Sequence, residues 1–286
     1  MADLPDYDLL RTPNEPPHQA PPRRPVGLWI VVAALVAASV LAAYIVFGGR
    51  QTLAPATATP ERVEAPPQPV QPLGGDAEPI FLPPLDQSDP LVRELVKQIT
   101  SHPRVAAWLA TDELIRTFTV TVANIAEGMT PARHLHVLRP SSGFRVSERA
   151  GNPYIDPRGY ERYDTLADAA ASIDPAGAAR LYSTLKPRIE EAYRDLGAPG
   201  GPFDRTLARA LVSLLETPVP DGAVPVSRRP QGIGYEFVDP DLEALTAAQK
   251  QLLRMGPRNT RIIQSALREI ALALGIPAER LPRPRS

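Results

Sequence analysis

The residues best suited to bind a charged ligand are arginines and aromatic residues between positions 133 and 163. An arginine guanidinium binds phosphate or carboxylate through two parallel hydrogen bonds, and an aromatic ring stacks on a sugar or a base. The alternative is that these arginines reflect general composition, because residues 90–286 contain 23 arginines and only 3 lysines. The candidate ligand or partner surface consists of Arg145, Arg149, Tyr154, Arg158, Tyr160 and Arg162.

Other residue types give weaker indications of chemistry. If His134 and His136 lay on a strand, their rings would point to the same face and could bind one metal ion. However, Thr130 and Pro131 predict the start of a helix, in which the two rings would point in different directions. No third ligand is near in the sequence. Adjacent acidic residues such as Glu190 and Glu191 have a spacing equally typical of a solvated helix face. The chain has no cysteine, which excludes disulfides, thiol nucleophiles and thiolate zinc sites. We therefore predict no metal, no cofactor and no catalytic residue, and the pattern favours a protein that is not an enzyme.

One uncharged segment is long enough to cross a membrane. Residues 26–47, which begin with Val26 and end with Phe47, form 22 consecutive uncharged positions, and a helix of about 20 residues spans the bilayer core. The predicted membrane-flanking residues are Arg23, Arg24, Trp29, Tyr44 and Arg50. Because positive residues favour the cytoplasmic side, we expect a single-pass membrane protein with its N-terminus in the cytoplasm and its C-terminal domain on the opposite side of the membrane.

Proline and charge divide the chain into zones. Residues 1–89 hold 16 of the 35 prolines and a net charge of −5, whereas residues 90–286 carry +4. Proline-rich segments with few apolar residues do not form a core. The predicted organisation is a disordered cytoplasmic tail (1–25), a transmembrane helix (26–47), a Pro-rich linker (48–85), a helical envelope domain (86–280) and a disordered tail (281–286).

Within the domain, proline marks where helices begin. Asp-Pro pairs at 89–90, 174–175 and 239–240 place a capping residue before a proline in the first turn. Helices are also expected from about 111 to 128, from 131 for a short distance, from 203 to 217, and from 257 onwards, with Pro187 kinking the helix that begins at 175. Residues 144–155 and 224–237 have the short apolar runs and turn residues of β-hairpins. The predicted fold class is mostly α: a single-pass transmembrane helix, a Pro-rich linker and one helical domain with two small β-hairpins.

Four segments together resemble a known family. They are LPPLDQSDPLVRELV at 82–96, AAWLATDELIRTFTVTVANIAEG at 106–128, YIDPRGYERYD at 154–164 and LTAAQKQLLRMGPRN at 245–259. They resemble the bacterial DUF3014 family, a domain of unknown function usually found after a single membrane helix. The resemblance implies an envelope protein and supplies no activity and no catalytic residues.

Two functional hypotheses follow from this layout. The first is a non-enzymatic interaction or scaffold module whose periplasmic domain contacts another envelope protein or the cell wall, with residues 26–47 in the lipid bilayer. The second is an enzyme or binding module that acts on an anionic envelope polymer through the Arg/Tyr surface. The overall charge of −1 argues against a nucleic-acid partner.

Overall fold

The computed structural model describes residues 72–75, 80–197, 201–230 and 234–283. In these ranges the chain forms nine α-helices and four short strands. In chain order they are α1 (Asp89–Lys97), α2 (Pro103–Leu109), α3 (Leu114–Ala126), β1 (Val146–Arg149), β2 (Asn152–Ile155), α4 (Asp164–Ala171), α5 (Pro175–Asp195), α6 (Phe203–Leu215), β3 (Val226–Arg228), β4 (Tyr235–Phe237), α7 (Pro240–Glu243), α8 (Ala247–Leu253) and α9 (Pro257–Ala273).

The predicted fold class is wrong in its membrane component. Within the described ranges, no helix combines the length and the apolar character needed to cross a bilayer. The longest, α5, has 21 residues but carries charged side chains such as Lys186, Arg188 and Glu191, which are costly inside a membrane. Residues 26–47, the predicted membrane helix, lie outside the described residues. The fold that the structure supports is a helical domain with two small β-hairpins.

The helical core is centred on Phe203 at the start of α6. This side chain is fully buried, and its ring packs against Tyr193 edge-on at 5.1 Å between centroids and against Phe118 at 6.0 Å. The apolar faces of α3, α5, α6 and α9 meet around it, because each helix repeats apolar residues at helical spacing. Helices α1 and α2 close one side of this core through Val92, Val96 and Leu109.

The three Asp-Pro pairs all mark helix starts, as predicted. Asp174 and Asp239 accept hydrogen bonds from the backbone N–H groups of the next helical turn. At α1 the capping role is different from the prediction, because Ser88 precedes the helix and Asp89 lies within it. The Asp89 carboxylate instead accepts from the backbone N–H groups of Glu113 (2.8 Å) and Leu114 (2.9 Å) and so fixes the start of α3.

The two predicted hairpins are present and lie side by side. Strands β1 and β2 pair with Val146 opposite Ile155, and β3 and β4 pair with Val226 opposite Phe237. The turn of the first hairpin is at Ala150 and Gly151, both with positive φ. A backbone hydrogen bond from the N–H of Ile155 to Val224 O links the hairpins.

Two local predictions differ from the structure. The helix expected from Pro131 is a turn followed by a 3-10 turn at His136–Leu138. Helices α2 and α4 are present but are absent from the sequence prediction. Pro187 lies inside α5, as predicted, and the helix continues through it without a break.

The linker contacts the folded domain in two places. Leu85 is buried and Leu82 packs against the helical core, whereas the neighbouring Phe81 is 87% exposed. Farther upstream, Leu73 packs against the core, and the N–H of Gly74 donates to Leu274 O at 2.9 Å. Ordered contacts therefore begin before position 86, the predicted domain boundary.

Candidate functional site

An apolar cavity of about 370 Å³ lies within the helical core. Helices α1, α2, α3, α5, α6 and α9 all contribute side chains to its wall. None of the described residues that line it carries a charge, and nearly all are aliphatic or aromatic. Representative wall residues are Val96, Trp108, Phe118, Leu181, Leu211 and Ile270. The cavity is therefore suited to an apolar molecule rather than to a polar one.

Small residues line this space together with large apolar ones. Ala178 on α5 and Ala210 on α6 both line the cavity, and leucines such as Leu181, Leu207 and Leu214 lie one turn away on the same helices. Protein interiors are normally packed as densely as organic crystals, so a space of this size is exceptional for a helical core.

The phenol of Tyr182 forms a polar edge of the cavity wall. Its hydroxyl donates to Asp204 Oδ1 at 2.6 Å, and Lys186 Nζ donates to the other carboxylate oxygen at 2.6 Å. Burial, followed by this hydrogen bond, raises the pKa of Tyr182 well above its usual value. The hydroxyl therefore stays protonated and already has a partner, so it does not offer a free base or nucleophile to the cavity.

One end of the cavity is formed by two loops that hold each other. Thr100 Oγ1 lies 2.7 Å from Ser172 Oγ, and the N–H of Asp174 donates to Ile99 O at 3.0 Å. Gly177 faces Ile99 so closely that an added Cβ would come within 2.5 Å of its methyl group. Ile99, Thr100 and Ile173 line the cavity at this end.

The Arg/Tyr residues predicted as a ligand surface lie around the hairpins, not at the cavity. Arg158 is paired with Asp156, with 2.7 Å between Nη2 and Oδ2. Its hydrogen bonds hold the pKa of the Asp156 carboxyl well below its usual range. Because Asp156 is itself nearly buried and also accepts from the Arg158 backbone N–H, this pair fixes the turn after β2.

Two other members of that surface are engaged in packing. Arg162 lies over the rings of Tyr163 (4.7 Å) and Phe144 (5.8 Å) and donates to Ser142 O. Tyr160 is half-buried and covers Gly256, where an added Cβ would lie 2.3 Å from its ring. Both side chains therefore have structural partners that a ligand would have to displace.

The remaining predicted site residues are placed differently. Arg145 and Arg149 are exposed, and Tyr154 is half-buried where β2 bridges to Pro225. The structure thus brings the six residues into one region but gives each its own contacts. The predicted membrane-flanking residues lie outside the described part of the chain; they are Arg23, Arg24, Trp29, Tyr44 and Arg50.

Histidines and carboxylates form no metal site in the part of the chain that the structure describes. No group of three or more His, Asp or Glu side chains there is arranged to hold a metal ion. His134 lies in a turn and His136 begins a 3-10 turn, with neither on a strand.

The cavity was missed by sequence reasoning because its walls look like an ordinary helical core. The stripes of α3, α5 and α6 were recognised as apolar faces, but a stripe does not show how far apart two helices pack. Ala178 and Ala210 are small residues on two of these stripes and both line the cavity, but the sequence does not distinguish them from ordinary core alanines.

A family model described as "Protein of unknown function (DUF3014)" matches residues 114–271, which is more than half of the chain. The chain belongs to this family. The predicted resemblance is therefore confirmed, although the segment at 82–96 lies before the matched residues. No curated protein and no solved structure matched the chain.

Two of the DUF3014 motif segments meet in the structure. Asn259, in the segment at 245–259, is almost fully buried and donates from Nδ2 to Tyr160 O (3.1 Å) and Asp164 Oδ1 (2.9 Å) of the segment at 154–164. These motif residues therefore join α9 to the turn after β2 and to α4. They serve the architecture of the DUF3014 domain, while the cavity walls from α1 and α2 come from residues before the matched range.

Proposed function

We propose that this domain is a non-enzymatic binding module that holds an apolar, lipid-type molecule in its helical core. The observation that carries the proposal is the uncharged cavity of about 370 Å³. Small-molecule sites in proteins typically have volumes of about 300–1,000 Å³ and mostly apolar walls. The proposal keeps the predicted role of an interaction module and makes the partner a small molecule.

The energetic cost of an empty cavity supports an occupant. Core substitutions indicate a cost of about 24 cal/mol per Å³ of unfilled space. At that rate a fully enclosed cavity of 370 Å³ would cost at most roughly 9 kcal/mol, and the partial opening of this cavity to solvent makes its cost smaller. Water compensates poorly, because such walls offer it few hydrogen-bond partners, and an apolar cavity of about 150 Å³ stays dry and binds benzene. An apolar ligand would recover much of this free energy.

The Arg/Tyr surface gives less support to the second functional hypothesis, an enzyme or binding module that acts on an anionic envelope polymer. Arg158 and Arg162 have structural partners, so binding an anionic polymer through them would break existing contacts. That hypothesis, and the expected location in the bacterial envelope, stay predictions from the sequence.

Trp108 allows the proposal to be tested inside the cavity. The chain has two tryptophans, Trp29 and Trp108, so a Trp29→Phe chain reports from the cavity wall alone. We expect the neutral probe ω-bromododecanol to quench Trp108 fluorescence saturably, at one molecule per chain, because bromine quenches only at contact. Quenching that rises without saturation would contradict the proposal.

Matched variants separate cavity binding from adsorption to the surface. Ala210→Phe places a ring in the cavity and is expected to abolish saturable quenching; Ala210→Leu, a smaller change, should weaken it. Val238→Ser removes an exposed apolar side chain (56% exposed) and should leave quenching unchanged. Far-ultraviolet circular dichroism confirms that each variant is folded. Equal quenching in folded Ala210→Phe and the parent chain would overturn the proposal.

A further inference from the structure

A second pocket of about 420 Å³ adjoins the cavity between α1 and α2. Thr100 lines both spaces, so the loop after α1 forms their common boundary. The two spaces differ in chemistry. The α1–α2 pocket is lined on its polar side by Arg93, Lys97, Thr100, Ser101 and His102, and no carboxylate is among its described lining residues.

Two of these side chains are able to bind an anion. Lys97 and its partner Glu94 are 63% and 70% exposed, and an exposed pair of this kind is weak enough to be exchanged for another anion. His102 Nδ1 accepts from the N–H of Arg104 at 3.2 Å, so the neutral ring carries its proton on Nε2 and donates from there. Lys97 and His102 thus provide donors at the rim without breaking a buried contact.

Arg93 lines the same pocket but has structural partners. Its guanidinium donates to Leu109 O (2.7 Å) and Thr111 O (2.9 Å), which ties α1 to the end of α2. Its Nη2 also lies 3.3 Å from Asp112 Oδ1 and 3.8 Å from Asp89 Oδ2, so these two carboxylates compensate its charge. The donors left for a ligand in this pocket are therefore His102 and, by exchange of its exposed Glu94 partner, Lys97.

We infer that the ligand is a single-chain amphiphile with an anionic head group, a carboxylate or a phosphate monoester. Its alkyl chain occupies the apolar cavity, and its head group lies in the α1–α2 pocket against Lys97 and His102. Thr100, which lines both spaces, lies between the head group and the alkyl chain. This inference rests on the proposed function, because it names the chemistry of the molecule that the cavity holds.

Ligands of equal chain length and different head group test the inference. In the Trp29→Phe chain, quenching of Trp108 is titrated with ω-bromododecanoate, ω-bromododecyl phosphate, ω-bromododecanol and ω-bromododecyltrimethylammonium. Since charge-assisted hydrogen bonds are about twice as strong as neutral ones, we expect at least one of the two anions to bind about tenfold more tightly than the alcohol, and the cation to bind more weakly. Whichever anion shows the preference identifies the head group as carboxylate or phosphate.

Variants at the rim complete the test. A chain with Lys97→Gln and His102→Gln should bind the anions and the alcohol with nearly equal affinity, while its affinity for the alcohol is unchanged. Arg149→Gln, which removes an exposed positive charge on β1, is the matched control and should keep the preference. Saturable binding of all four ligands without preference for an anion would overturn the head-group inference and leave the cavity proposal standing. Absence of saturable binding by all four would contradict both.

Discussion

The helical core and the hairpin region of this domain differ in what fills them. The core is lined by aliphatic and aromatic side chains and leaves a cavity of about 370 Å³. The hairpin region has a small apolar cluster, which short strands enclose together with the short helices α7 and α8: Ile155, Val224, Val226, Phe237 and Leu253. Arginines complete this cluster: Arg254 lies over the Phe237 ring at 5.1 Å, and burial lowers its pKa from the usual value.

This difference indicates where a ligand is accommodated. Arginines near aromatic rings suggest binding when they are seen in a sequence, but around the hairpins they substitute for apolar packing that the short strands do not provide. The long amphipathic helices have more apolar surface than they bury against one another. In this domain the apolar region has space to receive a molecule, whereas the charged region is occupied by its own side chains.

The largest effect is expected at the junction of the two regions. Gly256→Ala should destabilise the domain by about 3–4 kcal/mol, because φ is +88° and the new Cβ would meet the Tyr160 ring. Gly275 has the same φ with no atom within 4 Å of an added Cβ, so Gly275→Ala should cost only about 1–2 kcal/mol. Urea denaturation measures the free energy of unfolding of both variants. Equal decreases would show that the Tyr160 contact does not constrain the junction.

A larger side chain in the cavity should raise the free energy of unfolding, whereas a larger side chain at a packed site should lower it. Ala210→Leu adds three carbons to the cavity wall and should stabilise the unliganded domain by up to about 2 kcal/mol. Ala271 is fully buried on α9 and does not line the cavity, so Ala271→Leu should destabilise it by about 1–3 kcal/mol. Thermal denaturation of both variants checks the comparison. Destabilisation of similar size in both variants would mean that the core has no cavity in solution.

Acid should weaken the hairpin region and leave the cavity intact. The folded-state pKa of Asp156 is held below its unfolded value by Arg158, so this interaction stabilises the domain above about pH 4 and is lost as the pH falls through the folded pKa. The protection factors of the β1 and β2 amides, which correct for the intrinsic pH dependence of exchange, should therefore fall at low pH in the parent chain. In Asp156→Asn the protection factors should already be lower at neutral pH and should change little on acidification. A pH dependence that persists in this variant would assign the effect to another group.

The smallest changes in stability are expected from substitutions of the two exposed arginines, one just before β1 and one at its end. Arg145→Ala and Arg149→Ala should each change the free energy of unfolding by no more than about 0.5 kcal/mol, because both side chains are exposed. Arg162→Ala should cost more, about 1 kcal/mol or above, since it removes ring contacts and a hydrogen bond to Ser142 O. A decrease in stability for Arg149→Ala as large as that for Arg162→Ala would contradict this distinction between exposed arginines and arginines that contact other groups.

Features encoded by neighbouring residues were predictable from the sequence. The Asp-Pro pairs at 174 and 239 predict helix starts because cap and proline act within one turn, and both hairpins follow from local turn residues. Helix α2 was missed because its seven residues are too few to display a stripe. The helix expected at Pro131 was wrong because the apolar residues after it are too few to hold a helix on the core.

The site depends on distances between elements, which local patterns do not contain. Asp89 illustrates this: the sequence indicates a cap, and the structure shows that it caps α3, 24 residues away, instead of its own helix. Likewise, Ala210 is an unremarkable small residue until α3, α5 and α9 are placed around α6. The Arg/Tyr surface stays a prediction, and the sequence did not show which of its arginines have partners within the domain.

The hydrogen bond between Gly74 and Leu274 brings the entry and the exit of the domain together. Because Gly74 and Leu274 lie side by side, the ordered segment before α1 and the residue that follows α9 are tied together, as the two ends of a domain often are. Leu274 also lines the cavity and Leu73 packs against the core, so tension applied between these two segments would act on the cavity wall directly through Leu274.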